Sequence, residues 1–356
     1  MIFGIFPNLE KEGINLVLQR LISILDDLGT PYKFLVSMKH KIENLGLDLG
    51  ESYVSIEELA HADCILSVGG DGSFLGAART FSDYDTLIAG IHLGDLGFLN
   101  SITTDDMKER IKLILEGEYL KESRLFLHSE IEHANGEKEI LPDVLNDVVI
   151  GHNKIGQLVR VQLSINDHFI QEYASDGLIV SSPTGTTGYS LSCGGPVLGP
   201  SDTRMTVVPI CAHTLQRYSM VLNDTDIVKI TVPERENTLQ LSLDGTMSFD
   251  FPHSDILRVR GISKPIRFVR FEGQDIVFPK SSVGAAQQAI LAAVLAKGVT
   301  HLYNCAKEPE VFWLCRYLKT MGALIEGEET GEITIRGVDE LKGGDYRIPP
   351  DRIVAG

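Results

Sequence analysis

The stretch GGDG, residues 69–72, places one carboxylate among three glycines, between an apolar run and an apparent helix. Glycines let a ligand approach the backbone, and a helix N-terminus supplies N–H donors, so this arrangement favours phosphate binding. A carboxylate beside a phosphate is unfavourable unless it organises a metal ion or takes a proton from an attacking hydroxyl. The loop therefore predicts a phosphate-donor site at Gly69, Gly70 and Gly72. Asp71 would be the acid of this site, which organises a metal ion or accepts a proton. The alternative is a tight turn in which Asp71 caps the helix.

A second stretch, residues 174–200, is rich in glycine and in hydroxylated side chains, and it contains an apolar strand pattern. Its hydroxyl groups belong to Ser181, Ser182, Thr184, Thr186, Thr187, Ser190 and Ser192. Many hydroxyl and amide donors with little side-chain bulk suit the wrapping of a polar ligand. The alternative is a Ser/Thr-rich surface loop.

A third stretch places Asn146 and Asp147 at the start of an apolar run, LNDVVI. An adjacent amide and carboxylate can hydrogen-bond the vicinal hydroxyls of a sugar. The alternative is an Asx turn before a strand.

The elements that must position these residues change in character along the chain. Up to about residue 122, apolar strand patterns alternate with helical patterns, which predicts an α/β domain with a parallel sheet. From about 123 to 270 the period becomes two, which predicts antiparallel β structure with a hairpin at Asn166-Asp167. After Phe278 an Ala-rich helix and two β/α units are expected in a tail.

Composition is that of an ordinary globular protein, with 356 residues, 43% of them hydrophobic and 23% charged. The net charge of −17 argues against non-specific nucleic-acid binding. No apolar run approaches the roughly 18 residues of a membrane span, and no signal-peptide pattern is present, so we expect a cytoplasmic protein without a membrane partner. The five cysteines never form CxxC, which predicts reduced thiols and no structural zinc site.

Taken together, the three stretches and GIHLGDLGFLN (Gly90–Asn100) resemble the NAD kinase family from residue 1 to about 270. GGDG alone also resembles diacylglycerol, sphingosine and phosphofructo-kinases, whereas the segment from Ser182 to Pro196 is specific. The resemblance implies an N-terminal Rossmann-like parallel-sheet domain and a C-terminal β-sandwich domain, with the site in their cleft. It implies phosphorylation of the adenosine ribose 2′-hydroxyl of NAD by ATP or polyphosphate, with Mg²⁺ as the divalent metal ion. NAD and ATP are the implied partners, in a homo-oligomer that is a dimer or tetramer.

Carried over by position, the resemblance makes Asp71 the base or metal-organising acid and puts Asp71 and Gly72 against the nucleotide. Asn146 and Asp147 would hold the nucleoside portion. The further NAD contacts that it implies are Gln157, Ala174, Asp176, Thr187, Gly188, Tyr189, Ser190, Leu191, Ser192 and Thr246. No separate set of protein metal ligands is predicted.

From about Ile276 the chain instead resembles part of UDP-N-acetylglucosamine enolpyruvyl transferase, in stretches such as SVGAAQQAILAAVLAKG. By that resemblance Ser282, Val283 and Gly284 would contact a UDP-sugar, but the family's reactive cysteine loop and lysine have no counterpart. We expect a short α/β repeat-like tail without enolpyruvyl transfer activity. The sequence is compatible with a natural fusion, an engineered chimera or an artefact of sequence assembly.

The expected domains are therefore 1–122, the phosphate-donor domain; 123–278, the NAD-binding domain; and 279–356, the enolpyruvyl-transferase-like fragment. Two other functions remain as alternatives to an NAD kinase. One is a lipid kinase of the diacylglycerol or sphingosine type, against which the Asn146-Asp147 pair and the Tyr189 segment argue. The other is a catalytically inactive NAD-binding scaffold protein, which the foreign tail suggests.

Overall fold

The computed structural model describes residues 1–93, 99–152, 158–213, 218–233, 239–271, 274–278 and 281–347. The chain forms two compact units, Met1–Arg270 and Phe271–Gly356.

The first part of the larger unit alternates strands and helices, as its pattern predicts. Its elements are β1 (Phe3–Pro7), α1 (Ile14–Asp27), β2 (Tyr32–Leu35), α2 (Lys39–Asn44), β3 (Tyr53–Val54), α3 (Ile56–Ala60), β4 (Cys64–Gly69), α4 (Asp71–Thr80), β5 (Leu87–His92), α5 (Met107–Glu116) and β6 (Leu120–Glu122). Local chemistry fixes several ends: Ser55 and Glu58 form a capping box at α3, and Gly117, with φ 80°, ends α5. The parallel α/β arrangement expected for this region is confirmed.

The second part of the larger unit is mostly strands. Its elements are β7 (Leu125–Glu132), β8 (Lys138–Ile140), β9 (Asp147–Gly151), β10 (Val159–Ile165), β11 (His168–Ser175), β12 (Gly177–Ser181), a 3-10 turn (Thr184–Thr187), α6 (Tyr189–Ser192), β13 (Arg204–Ile210), β14 (Met220–Asn223), β15 (Val228–Thr231), β16 (Leu239–Leu243), β17 (Met247–Phe251), β18 (Ile256–Ser263) and β19 (Arg267–Arg270). The hairpin between β10 and β11 turns at Asn166 and Asp167, whose φ values of 52° and 62° suit a type I′ turn.

These strands build three sheets in the described part of the unit. The first has the order β3-β2-β1-β4-β5-β19-β6 and is parallel except at β6, which runs antiparallel to β19. The other two are antiparallel, with the orders β11-β10-β15-β18-β7-β8 and β14-β13-β12-β9-β16-β17. One hydrophobic core takes side chains from both antiparallel sheets, including Val161 and Leu257 from one and Val180 and Leu241 from the other.

Strand β19 belongs to the parallel sheet, although the sequence pattern predicts antiparallel structure for its region. It follows the antiparallel strands in the chain, yet it pairs in parallel with β5 through Arg267 opposite Leu87 and Phe268 opposite Ile88. Phe268 is fully buried in the core of the first sheet, beside Phe74. Burial of this aromatic side chain against the parallel sheet explains why the strand returns there.

The smaller unit contains β20 (Gln274–Val277), α7 (Val283–Ala293), β21 (Val299–Tyr303), α8 (Pro309–Thr320), β22 (Leu324–Glu326) and β23 (Ile333–Arg336). Its described sheet has the order β20-β21-β23-β22. The expected boundary after Phe278 differs from this division, because β20 pairs with β21 and Phe278 packs in the core of the smaller unit. The second expected β/α unit is instead the antiparallel hairpin β22–β23.

The cysteines of the smaller unit are core residues. Cys305 and Cys315 are buried and free, and burial raises the pKa of Cys305 to about 11 and that of Cys315 to about 12. Neither thiol is therefore a ready nucleophile.

Among the described helices of the whole chain, none is long and apolar enough to cross a membrane.

Candidate active site

The donor loop, Gly69–Gly72, connects the end of β4 to the start of α4, at the carboxyl edge of the parallel strands. Gly69 has φ 154°, and a Cβ there would overlap the Ser73 side chain, so this position requires glycine. An added Cβ at Gly70 or Gly72 would meet no atom of the described residues within 4 Å. The loop thus presents bare backbone at a helix N-terminus, which suits a phosphate group.

Asp71 is the first residue of α4, and Gly70 is the N-cap. The alternative that Asp71 caps this helix is therefore wrong. Its Oδ1 accepts hydrogen bonds from the Leu99 N–H at 3.2 Å and from the Asn100 Nδ2 at 3.1 Å. Asn100 is almost fully buried and is not among the predicted site residues. The carboxylate is thus aimed by the segment that follows β5.

A polar cluster, Asn146, Asp147 and Asp244, lies at the start of β9. The Asp244 carboxylate accepts hydrogen bonds from the backbone N–H groups of Leu145 at 3.3 Å, Asn146 at 2.8 Å and Asp147 at 3.2 Å. In return, the Asp147 carbonyl accepts a hydrogen bond from the Asp244 N–H at 3.0 Å. Asp244 begins the Asp-Gly turn between β16 and β17, which was the available sequence signal. This residue orients the Asn-Asp pair.

Burial dominates the electrostatics of this cluster. Burial, with a smaller contribution from the charge of the neighbouring Asp244, raises the pKa of Asp147 to about 7. Burial also raises the pKa of Asp244, against the effect of its three N–H donors and of Arg79. Asn146 Oδ1 is buried and has no hydrogen-bond partner among the described residues. A ligand with hydroxyl donors would satisfy both side chains.

The hydroxyl segment, residues 181–192, divides into a buried half and an exposed half. The buried half is tied to the polar cluster: the Ser182 hydroxyl donates to the Leu145 carbonyl, and the Ser182 N–H donates to the Asn146 carbonyl at 2.9 Å. A Cβ at Gly185 would overlap that same Asn146 carbonyl oxygen, so the close approach requires glycine. The buried half is therefore not a surface loop, and the Ser182 hydroxyl makes a structural contact within the protein.

The exposed half of the hydroxyl segment remains available to a ligand. Thr187 is half-buried, and Gly188, Tyr189, Leu191 and Ser192 are exposed. Ser190 is instead buried, and its Oγ has no hydrogen-bond partner among the described residues.

The remaining predicted contacts fall around these groups. Burial raises the pKa of Tyr189, and Cys193, Cys211 and Asp176 raise it as well. Asp176 is exposed between β11 and β12. Ala174 is half-buried on β11. Gln157 lies outside the described residues.

Helix α4 joins the donor loop to the polar cluster. Asp71 begins it, and Arg79 in its last turn donates from Nη1 to Thr246 Oγ1 at 3.3 Å. Burial raises the pKa of Asp244, and the positive charge of Arg79 partly opposes that rise. Helix α4 therefore begins at the acid and contacts, near its other end, the turn that contains Asp244.

Family models match the two parts of the larger unit. The model described as "ATP-NAD kinase N-terminal domain" matches residues 10–119, and "ATP-NAD kinase C-terminal domain" matches residues 145–271. A third, described as "EPSP synthase (3-phosphoshikimate 1-carboxyvinyltransferase)", matches residues 257–356. These matches confirm the predicted kinase resemblance and the enolpyruvyl-transferase-like tail.

Curated relatives agree with the kinase matches. The NAD kinase of Shewanella piezotolerans is 34% identical over 276 residues, which cover 76% of this chain and 87% of the relative. The NAD kinase of Caldanaerobacter subterraneus is 30% identical over 260 residues, which cover 72% of this chain and 89% of the relative. An Escherichia coli NAD kinase is 36% identical over 199 residues, which cover 56% of this chain and 68% of the relative.

Solved structures show the same fold. Yeast NADH kinase complexed with NADH has a TM-score of 0.68 at 20% identity, covering 76% of this chain and 83% of that chain. An NAD kinase from Archaeoglobus fulgidus in complex with ATP has a TM-score of 0.58 at 21% identity, covering 76% and 94%. The family-model matches and the curated relatives establish that the chain belongs to the NAD kinase family.

Proposed function

We propose that this chain transfers a phosphoryl group to the adenosine ribose 2′-hydroxyl of NAD, with ATP or polyphosphate as donor, and so forms NADP. The observation that carries the proposal is the placement of α4, which starts at Asp71 and contacts the Thr246 turn beside the polar cluster. Phosphoryl transfer depends mainly on positioning a donor phosphate and an acceptor hydroxyl against each other.

Each part of the site has a role in this reaction. The donor phosphates lie against Gly69, Gly70 and Gly72, and Asp71 takes the proton of the attacking 2′-hydroxyl. Asn146 and Asp147 hold the nucleoside hydroxyls. The remaining NAD contacts are Gln157, Ala174, Asp176, Thr187, Gly188, Tyr189, Ser190, Leu191, Ser192 and Thr246.

The donor set of the site fits Mg²⁺ that arrives with the nucleotide. Mg²⁺ is commonly bound through one or two carboxylates together with substrate phosphates. Within the described part of the chain, no group of three or more His, Cys, Asp or Glu residues is placed to hold a metal ion. Asp71 would therefore bind the ion together with the donor phosphates, and the Mg²⁺ ion would neutralise the negative charge of those phosphates.

We also propose specific domain types for the two parts of the larger unit. The two antiparallel sheets with a common core would be the β-sandwich NAD-binding domain, and the parallel sheet the Rossmann-like donor domain. We also propose a homo-oligomeric, cytoplasmic enzyme. Tyr218 and Phe169, which are 75% and 62% exposed, are apolar groups that subunit association would cover.

The test is incubation of the full-length chain with NAD, ATP and Mg²⁺, followed by measurement of NADP. Diacylglycerol and sphingosine are offered in parallel reactions. NADP formation is the expected result, with no phosphorylated lipid. NAD binding without turnover would instead indicate the scaffold function, and lipid phosphorylation without NADP would indicate a lipid kinase.

Removal of the smaller unit should leave the kinase active. Every described site residue precedes Arg270, where the larger unit ends. We expect a chain truncated after Arg270 to fold and to retain NADP formation. A second variant that ends at Phe278 is the control, because it leaves β20 without its partner strand. A folded but inactive 1–270 chain would make the smaller unit part of the working enzyme.

A further inference from the structure

We propose that Glu122 is a positioning residue that ties the hydroxyl segment to the catalytic acid through two arginines, Arg124 and Arg270. This inference rests on the proposed function for its kinetic consequence. Glu122 ends β6, at the edge of the parallel sheet and just before the first strand of the antiparallel region. Its Oε1 lies 2.6 Å from Arg124 Nε and 3.4 Å from Arg270 Nε. One carboxylate oxygen is thus shared by both guanidinium groups.

The first arm reaches the hydroxyl segment. Arg124 has a side chain that is only 2% exposed, and its guanidinium lies 5.5 Å from the Phe268 ring centroid. Its Nη1 donates to Thr184 Oγ1 at 3.3 Å. The Thr184 carbonyl in turn accepts the Thr187 hydroxyl at 3.1 Å, so Arg124 fixes the turn from which the exposed half of the segment begins.

The second arm reaches Asp71. Arg270 Nη1 donates to the Leu99 carbonyl at 3.1 Å, while the Leu99 N–H donates to Asp71 Oδ1 at 3.2 Å. The same residue therefore receives the arginine on one side and holds the catalytic carboxylate on the other. A shift of Leu99 would also move Asn100, the second donor to Asp71.

Strand pairing places the three charged residues together. Glu122 lies opposite Phe268 in the antiparallel pair β6–β19, and Arg270 is the diagonal neighbour two residues further along β19. Arg124 follows Glu122 by two residues. Because Arg124 is buried, loss of its carboxylate partner would leave a poorly compensated charge, unlike loss of a surface pair. A displacement of Arg124 or of Arg270 therefore changes the contacts of Glu122 Oε1.

The test uses Glu122→Gln, Arg270→Met and Thr184→Val in the full-length chain, with exposed Lys121→Gln on β6 as the matched control. Arg270→Met keeps the apolar stem, and we expect kcat to fall about tenfold or more with the KM for NAD within about twofold. Thr184→Val should raise the KM for NAD about fivefold with kcat nearly unchanged. Arg270→Lys, which can still donate to Leu99, should recover part of kcat.

Coupling is measured without reference to turnover by amide hydrogen exchange. Glu122→Gln should accelerate exchange both at residues 99–103 and at residues 184–187, and Lys121→Gln at neither. If Glu122→Gln fails to fold, Arg270→Met carries the measurement and should accelerate exchange at both segments. Unchanged exchange at either segment would overturn the tie. Kinetic effects of Arg270→Met and Thr184→Val that add fully in the double variant would overturn it as well. A well-folded wild-type chain without NADP formation would instead overturn the proposed function.

Discussion

Replacement of Asp71 by Asn should lower the rate of NADP formation by at least about 10²-fold, while the dissociation constant for NAD changes by less than about threefold. The asparagine Oδ1 can still accept the hydrogen bonds from the Leu99 N–H and the Asn100 side chain, so the geometry of the loop is retained. What the variant lacks is the charge that accepts a proton or shares a metal ion. The structure thus makes this substitution a test of chemistry more than of folding.

The measurement is steady-state NADP formation together with NAD binding by each protein. Asp85, an exposed carboxylate between α4 and β5, is the site of the matched control, and Asp85→Asn should leave both quantities unchanged. Asn100→Ala removes one of the groups that aim Asp71 and should lower turnover by a smaller factor. Undiminished turnover in Asp71→Asn would remove this residue from the mechanism.

The second large effect is a dependence of NAD binding on pH that comes from Asp147. Burial raises the pKa of this carboxyl to about 7, and a charged carboxylate accepts stronger hydrogen bonds from ribose hydroxyls than a neutral acid does. Ionisation rises from roughly a tenth at pH 6 to roughly nine tenths at pH 8, so NAD affinity should rise about tenfold over that range. Asp147→Asn should bind NAD more weakly at pH 8, by about 1–3 kcal/mol, and lack this slope.

The same residue should have the opposite effect on the ligand-free protein. A pKa that burial raises from 3.8 to about 7 means that the folded state holds the proton more tightly than the unfolded chain. The contribution of Asp147 to stability therefore falls as the pH rises from about 4 to about 7 and stays low above that. Asp147→Asn removes this loss, so the ligand-free variant should unfold at a higher temperature than the wild type at pH 8, with a smaller difference at pH 5.

Thermal unfolding without ligand and NAD titrations at pH 6, 7 and 8 check both statements, again with Asp85→Asn as the control. A variant that gains stability while it loses NAD affinity would show that the cluster is arranged for binding at the expense of stability. An unchanged NAD affinity at every pH would place the nucleoside elsewhere.

Features that depend on neighbours along the chain could be predicted from the sequence. The strand and helix periods predict the parallel region, the antiparallel region and the hairpin at Asn166-Asp167, because burial of one face imposes a period of two or of 3.6. The position of GGDG between a strand and a helix has the same local origin. The family resemblance rests on the same contiguous motifs, and the relatives confirm it.

The folded structure was needed to distinguish the polar groups that can meet a ligand from those that stabilise the protein. Asp244 is 97–99 residues away from the N–H groups that it binds, and Leu99 and Asn100 are 28 and 29 residues away from Asp71. Ser182 looks like a ligand group in the sequence, yet its hydroxyl bonds the Leu145 carbonyl. Contacts between such distant residues follow from strand order and register. No local sequence pattern encodes these properties. The return of β19 to the first sheet, for example, depends on burial across the whole unit.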